Sequence, residues 1–440
     1  MAQLAQQLLA SAEALRQNPF SPTVQQTIRR LISDGVLPPK GAELAQWKQW
    51  LERFPASLVH HDTAAVAIAA CVGVGAGVAD SGIHKRIRTA LSWFPNLKGA
   101  DVPELASRSL HVRDGLDRIV GNSPKMREVR AHGWSSAFGE DLRNALGLKT
   151  MLQTTPVLIL GETGTGKELV AQSVCRAAPG TWDSNKGWIP GKTDSVNLAA
   201  LPRELIYSAL FGHEKGAFTG ATTAVKGILE NCHGGAVFLD EVADSPLPAQ
   251  VALLRALQEG RARPLGSNKD VDAAPRVISA THRDLLHLCK QRVFRADLYH
   301  RLSSVILELP PLRERLEDIE LIAASFIDDL EYELQPIIKE RFAEFLRNKA
   351  SEHKWPGNVR ELLAAVRALC LGLPPRLMTS LESKDGPVPS AMLDREWTLE
   401  EAKRWYAAYV VAGCPIKKDA AKRLDIDRGT LRTLLQKEEL

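Results

Sequence analysis

A chain of 440 residues is long for one ordinary domain and implies two to four. Its 45% apolar residues can fill several cores, and a net charge of +4 excludes a global field demanding nucleic acid or membrane, so any basic surface is local. Six cysteines, Cys71, Cys175, Cys232, Cys289, Cys370 and Cys414, lie far apart without the paired spacing of a zinc site or disulfide framework, and read as reduced thiols of a cytoplasmic protein.

Residues 1–115 read as a mainly helical N-terminal domain with breaks at Pro19 to Pro22, Pro38-Pro39 and Pro55. The opening MAQLAQQLLASAEALRQ is amphipathic and lacks the basic stretch and long apolar run of a secretory signal. The 16 residues Ala64 to Ala79 are apolar, but too short and too glycine-rich to span a bilayer; a buried small-residue helix or a turn-rich core piece is expected. His60, His61 and Asp62 read as a surface turn, because adjacent positions rarely converge on one metal ion. No paired acids follow a first strand, as a phospho-acceptor domain would need. Signal sensing and plain packing against the rest of the chain both stay open for this region.

Further on, short apolar strands alternate with amphipathic helices. Pro156 to Leu160, Ser195 to Leu198, Ala236 to Leu239 and Arg276 to Ala280 each read as a buried strand, which predicts an α/β domain with a parallel sheet and flanking helices. The first strand runs into Gly161, Glu162, Thr163, Gly164, Thr165, Gly166, Lys167 and Glu168, and then into a helix. Glycines there let backbone N–H groups turn toward a phosphate, the helix N-terminus adds positive potential, and Lys167 supplies a point charge. Glu168 stands where the general pattern has a magnesium-binding Ser or Thr. Downstream, GGAVFLDE delivers Asp240 and Glu241 to the end of a buried strand. Such a pair can hold magnesium (Asp240) and polarise the water that attacks a terminal phosphate (Glu241).

Between these motifs lies Gly216, Ala217, Phe218, Thr219, Gly220 and Ala221, or GAFTGA. Glycines at each end permit turn geometry that projects Phe218 and Thr219 outward as an exposed tip; taken alone, the hexapeptide is more often a hairpin with Phe218 folded into the core. From about Asp318 the pattern turns purely helical, through Arg341 to Asn348 and Asn358 to Cys370.

Read together, IVGNSPKMREV, GETGTGKELVA, LFGHEKGAFTGA, GGAVFLDE, LLRALQEG, FRADLYHRL, LPPLRER and WPGNVREL make residues 116–370 resemble the bacterial enhancer-binding proteins, AAA+ ATPases that activate sigma-54 RNA polymerase. The resemblance implies an AAA+ α/β subdomain over 116–305, a helical lid over 306–371, and ATP and Mg2+ as cofactors. It also accounts for Glu168, which the family uses after the lysine. Asn197 resembles the switch residue that hydrogen-bonds the catalytic glutamate, here Glu241, and reports nucleotide state to the GAFTGA loop. Thr281 and His282 stand where the family senses the terminal phosphate, His282 replacing the usual Asn. Arg295 and Arg301 resemble the arginines that reach a neighbouring subunit's nucleotide. Arg360 resembles the lid arginine, and Ile119, Val120 and Gly121 the segment lining the adenine pocket. From Arg130 to Thr155 the chain departs from the family pattern by a longer, less familiar stretch.

A proline-containing stretch, 372–396, reads as a linker. Residues 397–440 resemble a Fis-type helix-turn-helix, with a support helix from Glu400 to Ala412, a first helix from Lys417 to Leu424 and a recognition helix from Arg428 to Lys437. Between Lys417 and Lys437 seven basic side chains face three acidic ones, a local excess suited to phosphate contacts. Lys417, Lys418, Lys422, Arg428, Thr430 and Arg432 are the expected DNA contacts, and Asp425 replaces the usual turn glycine. The resemblance thus implies a ring-forming activator, a hexamer, whose partners are sigma-54, RNA polymerase and double-stranded enhancer DNA, with no membrane. A AAA+ chaperone or DNA-translocating motor shares the phosphate loop and arginines but has no use for GAFTGA.

Overall fold

A computed structural model describes residues 2–377 except 57, 58, 60, 61, 79, 98, 100, 184 and 350–352, and in the tail 398–412, 421, 424, 426, 427 and 429–431. His60, His61, most of the expected linker, and Lys417, Lys418, Lys422, Asp425, Arg428 and Arg432 lie outside the described residues.

Among the described residues these helices come first: α1 (Ala2–Arg16), α2 (Pro22–Ser33), α3 (Leu44–Glu52), α4 (Thr63–Gly75), α5 (Asp80–Leu91) and α6 (Asp101–Asp117). The prolines fall between them as expected, since proline lacks the N–H that a helix interior needs. The apolar run becomes a helix, α4, buried on every side from Ala65 to Gly75 and capped by Asp62, whose carboxylate accepts from Ala65 N at 2.9 Å. Its small residues let neighbours come close. A methyl added at Gly73 would lie 2.4 Å from the Trp47 ring.

Next come α7 (Pro124–Phe138), α8 (Leu142–Gly147) and α9 (Lys149–Thr154), which carry the stretch that departs from the family. The N-terminal helices pack on this stretch. Arg16 meets Asp141 through two bonds of 3.2 and 3.3 Å, Asn18 donates to Ala131 O and Ser135 Oγ, and Arg143 pairs with Asp62 at 3.0 Å.

The sheet has five parallel strands in the order β5-β1-β4-β3-β2, with β1 (Val157–Leu160), β2 (Thr193–Asn197), β3 (Ala236–Asp240), β4 (Arg276–Thr281) and β5 (Val305–Glu308). Strand alternation sorts its side chains onto two faces. Val157, Ile159, Phe238, Ile278 and Leu307 join one buried cluster that runs back through α6 and α4 to Leu8 of α1. Leu158, Val237, Leu239 and Val277 join a second. The expected boundary at 305/306 falls inside β5, whose Val305 pairs with Val157 and Glu308 with Leu160; the sheet therefore extends to Glu308. This edge strand is only four residues long and mostly solvent-facing, so it lacks the apolar run of a central strand.

The first face holds α6 and the phosphate-loop helix α10 (Lys167–Cys175). α6 is buried nearly all round, with Gly115 so close to α10 that an added Cβ would lie 2.8 Å from Ser173 Oγ. Two polar clusters sit in this seam. Glu104 pairs with Arg108 at 3.6 Å and accepts from Gly180 N; Arg276, pushed down to about 10 by complete burial, donates to Ser136 O and Thr155 O. The second face holds α11 (Arg203–Phe211), α12 (Ile228–Asn231), α13 (Leu247–Glu259), α14 (Leu285–Lys290) and α15 (Ala296–Leu302).

The lid, α16 (Ile319–Ile327), α17 (Gln335–Lys349) and α18 (Asn358–Cys370), has its own core around Trp355. In the tail, α19 (Leu399–Ala412) begins at a capping box between Thr398 and Glu401, and its Ala407 and Val410 cluster with Ala421 and Leu431. No helix among the described residues is long and apolar enough to cross a membrane.

Candidate nucleotide site

β1 delivers the loop Gly161–Gly166 to the N-terminus of α10, with Gly164 at φ 82° and Gly166 at φ 103°. Such backbone is open to glycine and costly for most other residues. Gly164 is also pinned by the lid: its carbonyl accepts from Val359 N at 3.0 Å, and an added Cβ would lie 2.5 Å from Gly357 O and 3.1 Å from Arg360 Cβ. Lys167 is buried and folds back along the loop, donating to Gly161 O at 2.8 Å and Glu162 O at 3.1 Å. Burial pushes its ammonium down, against the pull of Glu241 and Asp240. Thr165 closes the turn onto Glu162 O, and Glu168 is exposed on α10, accepting from Gln172.

Three further residues that sequence reasoning gave no role shape this loop. Arg313 grips Glu162 with bonds of 2.9 and 2.7 Å and holds that carboxyl below its ordinary range; Asn358 adds bonds to Glu162 and to Thr163 O; buried Arg315 donates to Thr165 O at 2.9 Å. All three stand inside the strings LPPLRER and WPGNVREL. Their partners lie some 150 to 196 residues earlier, a pairing that no local spacing encodes.

At the end of β3, Asp240 and Glu241 diverge. β2 and β3 run in register with Asn197 opposite Asp240, so Asn197 Nδ2 donates to Asp240 Oδ2 at 2.9 Å. The expected bond from Asn197 to Glu241 is therefore not the one observed. Glu241 sits in left-handed backbone at φ 52°, which turns its side chain toward β4, where one oxygen accepts from Thr281 Oγ1 (3.2 Å), His282 N (3.3 Å) and His282 Nδ1 (2.9 Å). Burial pushes the Glu241 carboxyl up, but the His282 contacts outweigh it and hold the group below its ordinary range. Asp240 goes the other way, raised by burial and by the neighbouring Glu241 charge.

Asn197 has a second bond set. Its Oδ1 accepts from Ala199 N and Ala200 N, capping a 3₁₀ turn that leads through α11 to a short antiparallel pair, Gly212-His213 with Val225-Lys226. Beyond that pair lies the expected tip. Gly216 N donates to Ala221 O at 2.8 Å and Ala221 N to Phe218 O at 3.0 Å, with Gly216 at φ 82° and Gly220 at φ 102°. Thr219 is exposed, Ala217 lies against Gly266, and Phe218 is 36% exposed with its ring edge-on to His213 at 5.0 Å.

Arg295 is exposed and held by Asp297 at 2.6 Å, while Arg301 is tied to Leu257 O at 2.8 Å. At the other end of the site, Ile119, Val120 and Gly121 precede a turn fixed by buried Asp318, which accepts from Asn122 N, Ser123 N and Ser123 Oγ; an added Cβ at Gly121 would lie 2.8 Å from it. Thr430 is described, and bonds back to Asp427 as at a helix start.

Residues 137–308 match the sigma-54 interaction domain family, and residues 313–379 the AAA+ ATPase lid domain family. The chain is 42% identical over 251 residues to the DNA-binding transcriptional regulator NtrC of Azospirillum brasilense, covering 57% of this chain and 47% of that one. It is 44% identical over 217 residues to the transcriptional regulatory protein GlrR of Escherichia coli (strain K12), covering 49% and 47%. The chain thus spans about half the length of the curated relatives it matches. Among solved structures, NtrX from Brucella abortus in complex with ADP is similar at 26% identity over 80% of this chain and 79% of that one, with a TM-score of 0.46, a likeness too loose to carry geometry. Residues 137–308 and 313–379 thus belong to the sigma-54 interaction domain and AAA+ ATPase lid domain families, and over them the chain is similar to transcriptional regulators of the NtrC type.

Proposed function

We propose that this protein hydrolyses ATP in a ring, a hexamer, and uses the energy to drive its Gly216–Ala221 loops against sigma-54, remodelling the closed polymerase complex at a promoter into the open one. One observation carries the reading: Asn197 touches Asp240 with one end and caps the turn leading into α11 with the other, so one hydrogen bond and the chain through α11 connect the carboxylate strand to the exposed tip.

In this reading the loop Gly161–Gly166, Lys167 and Glu168 hold the phosphates, Ile119, Val120 and Gly121 take the base, and Arg360 meets the nucleotide from the lid. Asp240 suits Mg2+, which commonly takes one or two protein carboxylates and completes its shell with phosphate oxygens and water. Held there, the ion would supply neutralisation of the phosphate charge. Glu241 takes a proton from the attacking water after leaving Thr281 and His282, while the bond from the terminal phosphorus to its bridging oxygen breaks. Arg295 and Arg301 act on a neighbour's nucleotide, which makes hydrolysis depend on assembly. Lys417, Lys418, Lys422, Arg428, Thr430 and Arg432 contact enhancer DNA, a reading supported by the basic excess of the tail sequence.

The experiment is Thr219→Ala in a purified sigma-54 transcription assay. ATP turnover is expected to stay near the parent level, with open-complex formation lost. Full activation by this variant would remove the loop from the output role.

A further inference from the structure

A cavity of about 630 Å³ opens beside Ile119, Val120 and Gly121, and part of its wall comes from the N-terminal region. Gln25 and Arg29 of α2 line it, opposite Arg127 of α7 and Leu321 of the lid. The placement of α2 is fixed from below. Asn18 bonds to Ala131 O and Ser135 Oγ of α7, Phe20 N bonds to Asn18 Oδ1, and the buried Phe20 ring meets Trp134 edge-on at 6.4 Å. Gln25 is held to Pro19 O at 3.0 Å, and Arg127 to Asn122 O at 2.9 Å. Arg29 is exposed and has no hydrogen-bond or ion-pair partner among the described residues.

A short stretch of chain connects the rim of the cavity to the phosphate loop. Arg315 donates to Thr165 O, and three residues later Asp318 holds Asn122 and Ser123. A 3₁₀ turn rises about 2 Å per residue, so the two ends of the site are bridged by a step of about 6 Å plus side-chain reach. Val120 also packs on the lid core, which keeps this segment between lid and cavity.

We propose that α2 forms the outer wall of the base end of the nucleotide site, with Arg29 contacting the base or ribose of bound ATP. A guanidinium can donate to ring or sugar acceptors in plane and can also stack on a base face. The proposal rests on the phosphate-loop reading above. Under it, any shift of the N-terminal helices changes ATP affinity directly.

The test compares ATP with tripolyphosphate, which has the phosphates and no base, by calorimetric titration of the full chain. Arg29→Ala is expected to weaken ATP binding about three- to tenfold, the worth of one hydrogen bond, and to leave tripolyphosphate binding unchanged. Arg29→Lys, which keeps the charge without the planar fork, should fall between. Equal weakening of both ligands, or no change in ATP affinity, overturns the wall. Lys167→Ala separates the two ideas, because it should abolish binding of both ligands; if it binds both as the parent does, the phosphate-loop reading itself fails.

Discussion

The two faces of the central sheet are built alike and used differently. Both are aliphatic, from alternate residues of the same strands, yet one carries the N-terminal helices and the other the helices that end in the Gly216–Ala221 tip. On the face that carries the Gly216–Ala221 tip, here the proposed output face, the candidate site residues Asn197, Asp240 and Glu241 sit at strand ends; the opposite face is here the input face. On the input face helices from outside the ATPase motifs complete the core. A hydrophobic surface of that extent cannot stand in water, so the first 115 residues are part of the motor's packing whatever else they do.

The largest effect that would break this comparison comes from deletion. A chain beginning at Leu116 uncovers one side of the cluster that includes Ile159 and Phe238, and is expected to aggregate or to show no cooperative thermal transition by circular dichroism. A cooperative melt near the parent's temperature would mean that the faces are independent. A smaller effect sharpens the seam. Gly115→Val places a side chain against Ser173 of the phosphate-loop helix and is expected to cost about 1–3 kcal/mol in urea unfolding, as overpacking commonly does. The smallest concerns the rim. Arg143→Ala breaks a half-exposed pair with Asp62 and should cost roughly 0–1 kcal/mol at neutral pH. Burial tends to raise the Asp62 carboxyl, but the Ala65 and Arg143 bonds hold it below its ordinary value. Its contribution is therefore present above the unfolded carboxyl range and lost on acidification through the folded one, where parent and variant should converge in stability.

Sequence alone read the output face well. The expected strands lie within three residues of the observed ends, and α18 runs over Asn358–Cys370 as anticipated, because glycine punctuation and apolar runs are local signals. The family resemblance implies Asn197 and Glu241 as partners, but in the structure Asn197 bonds Asp240. Which acid the asparagine meets depends on the register of β2 against β3 and on the left-handed turn at Glu241. The input face was not legible, since a helix buried in its own bundle and one buried against a foreign sheet carry the same apolar residues. One trace did exist. The stretch from Arg130 to Thr155 that departs from the family pattern supplies Ala131, Ser135, Asp141 and Arg143, the residues that receive α1, the turn after it and the cap of α4.

Because α6 is buried nearly all round, a shift of the N-terminal helices cannot pass it by without moving its neighbours. Close-packed interiors are nearly incompressible, so pushing on α6 moves what it touches rather than squeezing it. What it touches, through Gly115, is Ser173 on the helix whose N-terminus holds the phosphate loop. A displacement of α6 by fractions of an ångström would therefore reach the phosphate-loop helix, and the readout expected of it is a graded change in nucleotide affinity.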